Sequence, residues 1–219
     1  MSAALPLVDE RLFSAFRPMD LRGNYVLDSE TTKLNAYRLL CLFYANKEIA
    51  RLSDPDSRDD PASSLERKYF AREMTKLLLS IAISLRVLDD QMNALSEEDE
   101  RKTTYSRARA SVNVQYRCMM FDEMSLREVC NKIIHATTVE PHVQDGTESH
   151  RIDEYNWLSW SEAMDQSGGQ AGPEHGAIKW RHLTSNIRLG GLKGREQWWH
   201  LLEVPTFVDA VSSILEGEG

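Results

Sequence analysis

The chain has 219 residues, 42% of them apolar, which suits a single domain with one sizeable core; its 11 glycines and 7 prolines are too few for a fibrous or low-complexity protein. Three widely spaced cysteines, Cys41, Cys118 and Cys130, exclude a disulfide framework and a CxxC metal motif. The formal charge of −8 argues against a uniformly basic nucleic-acid binder, yet eight acids lie in 139–176 against the single base Arg151, and the remainder is near balance.

The opening residues "MSAALPLVDERLF" lack the basic start and continuous apolar run of a signal peptide. The longest strongly apolar stretch, Leu77 to Leu85, falls short of the ~20 residues that cross a bilayer. The expectation is a cytoplasmic protein with no membrane contact.

In chain order, Asp28 or Ser29 caps a first helix, with Leu34, Tyr37, Cys41, Tyr44, Ile49 and Leu52 as its apolar stripe. It stops near "SDPDSRDDP". A second helix starts with Asp60 as cap and Pro61 at the first helical position, and carries Leu65, Tyr69, Leu77, Ile81, Leu85, Leu88, Met92 and Leu95. It is apolar on nearly every side around Leu77 to Leu88, which predicts a central element. After "SEEDERKTT", residues 101–117 read as an irregular connection with five bases, Arg101, Lys102, Arg107, Arg109 and Arg117, no acid, and two tyrosines.

The stretch "SLREVCNKIIHATT" then forms a short helix whose buried face is Leu126, Val129, Cys130, Ile133 and Ile134. Arg127, Asn131 and His135 fall along one side of it, because steps of four residues advance only about 40° past a full turn. Residues 139–181 read as a long acidic, partly ordered insertion, a candidate docking site for a protein partner. "HLTSNIRLGGLKGREQWWHLLEV" reads as a β-hairpin turning at "KGRE", in which Trp198 and Trp199 point to opposite faces. Pro205 opens a last helix with Phe207, Val208, Val211, Ile214 and Leu215 apolar.

"CNKIIHA" resembles the signature helix of the HEPN superfamily, small helical bundles in which an arginine, a polar residue and a histidine four to six positions after the arginine form a metal-independent ribonuclease site. "IRLGGLKGREQWWHLLEVPTFVDAV" resembles the hairpin and last helix of some bacterial HEPN-like proteins. The resemblance implies a mainly α fold: one HEPN-like domain over 1–219, with core helices in 28–138, the acidic insertion, and a hairpin plus final helix in 182–215. It places Asn131 at the polar position and His135 at the catalytic one, and it puts Cys130 where the family has arginine.

Two arginines could substitute. Arg127 precedes His135 by eight residues, about 12 Å along the axis, so it would have to come from a second chain in a homodimer paired through Ser125–Thr138. Arg86 either pairs with Asp90 four residues on or projects into the site. In a nuclease, His135 would serve as general acid or base toward the RNA 2′-hydroxyl, an arginine would stabilise the phosphorane, and Asn131 would orient the phosphate. Arg107, Arg109, Arg117 and Lys132 would hold the RNA backbone, with neighbouring tyrosines for stacking.

No cofactor is expected. His142, His150, His175 and His182 match no compact metal spacing, and "GGLKGRE" lacks the spacing of a phosphate loop. The function the resemblance implies first is a metal-independent endoribonuclease or toxin-like effector acting on RNA through a degenerate site; the alternative is a non-catalytic HEPN-like module, for regulatory interaction or nucleic-acid binding, that has lost the family arginine.

Overall fold

The computed structural model describes residues 27–53, 61–147 and 180–216. They form five helices and one three-stranded sheet: α1 (Ser29–Leu52), α2 (Pro61–Asn93), α3 (Glu100–Gln115), α4 (Leu126–His135), β1 (Thr138–Asp145), β2 (Arg181–Lys193), β3 (Glu196–Glu203) and α5 (Val204–Glu216). The predicted Asp60 cap, His150, His175 and most of the acidic stretch lie outside the described residues.

The helix starts follow local chemistry. The Asp28 carboxylate accepts the Thr31 N–H at 3.0 Å, and Asp99 accepts the Arg101 N–H at 2.9 Å. Ser125 and Glu128 form a reciprocal capping box at α4. The α2 core row is as predicted from Leu77 to Met92, with Asp89 as its one charged member, whereas Leu65 and Tyr69, predicted in the same stripe, are exposed.

Three sequence expectations are corrected. Residues 101–117 are mostly helical, since α3 runs to Gln115; its buried row is the narrow one of Tyr105, Ala108 and Val112. The buried side of α1 is Thr32, Ala36, Leu39, Phe43 and Asn46, while Leu34, Tyr37, Tyr44 and Leu52 are exposed. The supposed insertion begins with a strand, β1, antiparallel to β2. That strand is disguised by Pro141, which is tolerated because β1 is an edge strand whose register shifts between Pro141 and Val143.

The sheet order is β1-β2-β3, all antiparallel. The β2–β3 hairpin turns at Gly194, whose φ of 65° lies in the region that favours glycine. Ile187 and Leu189 on β2 and Leu202 on β3 face the helices and are fully buried. The α3–α4 connection runs along β3: the Met120 N–H donates to the Leu201 carbonyl and the Glu203 N–H to the Cys118 carbonyl, each at 2.9 Å. α1 packs on α2, α5 and β2, and α4 packs mainly on α2, which sets the ridge of α4 beside the last turns of α2. No described helix is long and apolar enough to cross a membrane.

Candidate functional site

The short α4 helix is fixed from three directions. Its capping box sets the first turn, and the Leu126 N–H donates to the Asn113 side chain at 2.8 Å, tying it to the end of α3. Leu126, Val129, Cys130 and Ile133 enter the core. Cys130, the residue that the resemblance sets against an arginine, is 1% exposed, and burial pushes its thiol up to about 12. A side chain at 130 therefore points into the protein, away from the open face of α4.

Three of the five arginines named from the sequence as site residues, Arg86, Arg109 and Arg127, meet at the acidic end of α2. Asp89 is 3% exposed. One carboxylate oxygen receives Arg109 at 2.7 Å and the Tyr105 hydroxyl at 3.2 Å; the other receives Arg86 at 3.5 Å and ion-pairs with Arg127. Asp90 adds Arg127 at 3.0 Å and Arg86 at 3.4 Å. Burial pushes the Tyr105 hydroxyl up to about 12, so it stays a hydrogen-bond donor to Asp89. Three guanidiniums thus surround two carboxylates, an arrangement in which the buried charge of Asp89 is retained because opposite charges face both of its oxygens. The local pattern Arg86–Asp90 was legible as an i, i+4 pair; Asp89 as the hub was not, since its other partners come from α3 and α4.

Asn131 and His135 lie on the part of α4 that this cluster leaves open. His135 is exposed, Asn131 half-buried, and neither makes a side-chain hydrogen bond among the described residues. Beside them, Lys132 sits with Nζ 4.3 Å over the Trp198 ring, and Trp198 stacks on His200 with centroids 5.4 Å apart. His200 Nδ1 lies 2.8 Å from an Asp122 oxygen. Sequence reasoning missed this row; the signal was the period of two that puts Trp198 and His200 on one face of β3.

The rest of the proposed RNA-binding set is dispersed. Arg107 is exposed on α3, and Arg117 is paired with Glu123 at 2.7 Å. Of the four histidines weighed as metal ligands, His142 reaches the Thr184 hydroxyl at 3.3 Å and His182 reaches Gln144 at 3.2 Å. Among the described residues no three His, Cys, Asp or Glu side chains gather as a metal set. Compared with known proteins, the chain matches no family model, no curated protein and no solved structure.

Proposed function

We propose that this chain is a HEPN-like module that binds RNA through the open face of α4 without cleaving it. The observation that carries the reading is the commitment of Arg86 and Arg127 to Asp89 and Asp90. Phosphoryl chemistry at His135 would need a positive charge aimed at the phosphorane. Both candidate arginines are instead neutralised by carboxylates of their own chain, and the family position is filled by a buried cysteine. What remains outward is Asn131, Lys132 and His135, a set that can hold a phosphate and a 2′-hydroxyl.

The test uses the purified chain with single-stranded and hairpin RNA in EDTA, reading binding by mobility shift and cleavage on denaturing gels. Expected are complexes that weaken as salt rises and weaken several-fold in Lys132→Ala and Asn131→Ala, with intact RNA throughout. EDTA-resistant cleavage abolished by His135→Ala would overturn the reading in favour of the ribonuclease, with Arg127 supplied by a second copy. Absence of binding across both RNA classes would overturn it in favour of a protein-interaction module.

A further inference from the structure

The half-buried Trp198 ring is fixed by its neighbours, while the cation resting on it is not. His200 stacks on the indole with centroids 5.4 Å apart and planes inclined by 30°, and Asp122 holds that imidazole at 2.8 Å. Gly191 makes room for the ring edge: a Cβ there would come 2.3 Å from the indole and 3.0 Å from the His135 carbonyl oxygen. The ring therefore lies against the C-terminal end of α4, beside the open face that carries Lys132.

Lys132 has neither an ion pair nor a side-chain hydrogen bond among the described residues. The one acid of α4, Glu128, turns its carboxylate to the Ser125 N–H and hydroxyl, at 2.9 and 2.8 Å. The ammonium thus rests on the indole, 4.3 Å from its centroid, by a cation–π contact at the end of a long flexible stem. Trp199 differs: the guanidinium over it, that of Arg188, also has Glu140 at 3.8 Å, so uncovering that ring would break an ion pair.

We infer that Trp198 is a stacking shelf for an unpaired base of single-stranded RNA, covered by Lys132 until the strand arrives. Binding is an exchange: the ammonium leaves the ring for a backbone phosphate, and a base takes its place on the indole. Both halves are favourable. An exposed cation–π contact is weaker than base–aromatic stacking, and the ammonium released from the ring displaces counterions from the phosphate. The occupant is single-stranded because a paired base has both faces covered by its neighbours in the helix. An indole already fixed by His200 and Gly191 loses little freedom when the base lands on it. The inference rests on the RNA-binding reading of α4, to which it adds the base contact and the preference for unpaired strands.

The test compares, by fluorescence anisotropy with the full chain, an adenylate RNA decamer and an abasic ribose-phosphate decamer of the same charge. The parent should bind the adenylate about tenfold more tightly or better. Trp198→Ala should lose most of that ratio, Trp198→Phe should keep part of it, and Trp199→Ala should keep all of it. Lys132→Ala should weaken both oligomers and flatten the salt dependence while leaving the ratio in place. The exchange is read on the parent chain, whatever the stability of Trp198→Ala, by NMR after isotope-labelled reductive methylation of the lysines. The Lys132 signal, assigned by its absence in Lys132→Arg, should be displaced by the indole ring current in the free chain and return to the position of an exposed lysine in the adenylate complex. Equal affinity of the parent for the two oligomers, a ratio unchanged in Trp198→Ala, or a Lys132 signal that does not move between the free chain and the saturated complex overturns the shelf and leaves the RNA-binding reading standing. Binding of neither oligomer overturns both.

Discussion

Arg127, in the first turn of α4, is ion-paired with Asp89, buried near the end of α2. This contact fixes the orientation of the helix that carries Asn131 and His135, and it removes Arg127 from the chemistry those residues would otherwise suggest. Asp89→Ala leaves three guanidiniums short of their buried counter-charge and should cost about 3–5 kcal/mol. Arg127→Ala should cost less, about 1–3 kcal/mol, since Asp89 keeps Arg109, Arg86 and Tyr105. Urea unfolding of both variants and of the double variant measures the coupling; equal losses in the two single variants would contradict the hub role of Asp89.

Introducing at position 130 the arginine that the HEPN resemblance expects there should fail. Cys130 is packed among core residues, so Cys130→Arg forces a larger, charged side chain into a space filled by a buried thiol. The variant should be destabilised by at least about 3 kcal/mol and gain no EDTA-resistant ribonuclease activity. A stable, active Cys130→Arg protein would show that the open face of α4 includes position 130.

The capping box makes α4 acid-sensitive. Hydrogen bonds from the Ser125 hydroxyl and N–H hold the Glu128 carboxyl below its ordinary 4.5. A carboxylate whose pKa is lower folded than unfolded contributes stability that is fully present above the ordinary value and is lost as pH falls through the lowered one. Acid titration of stability should therefore show a component below pH 4.5 that is reduced in Glu128→Gln. Ser125→Ala should remove it together with about 1 kcal/mol of cap stability at neutral pH. A titration unchanged by either substitution would exclude the box as its source.

The glycine pair in β2 serves packing. A Cβ on Gly191 would come 2.3 Å from the Trp198 ring and 3.0 Å from the His135 carbonyl oxygen. Gly191→Ala must therefore displace the ring on which Lys132 rests, at a cost of about 1–3 kcal/mol and with a shift in tryptophan fluorescence. Trp199→Phe, on the exposed face, should change stability by less than about 0.5 kcal/mol. If the two substitutions cost the same, the opposed-face assignment of the tryptophans is wrong.

Much of the fold was legible because it is local. Asp28 as a cap, Pro61 at a helix start, the α4 stripe and the α5 stripe are each fixed by residues within a few positions of one another. The hairpin follows from alternation on either side of "KGRE", and Trp198 and Trp199 separate to opposite faces by the pleat alone. β1 and α3 were less visible for opposite reasons: β1 carries a proline that an edge strand tolerates, and α3 buries only three residues in a largely polar sequence.

By itself, the sequence determined four of the five helical segments and where most of them start, and it determined that α4 would present Asn131 and His135 on one side, because helical phase depends only on spacing. The tertiary structure decided what those residues have for neighbours. It turned one of the two rows on α1 inward and left the other exposed, a choice set by how α2, α5 and β2 pack around that helix. It also brought Arg86, Arg109 and Arg127 from three helices onto Asp89. A buried charge takes whatever partners the fold delivers, and no local pattern records which ones those will be.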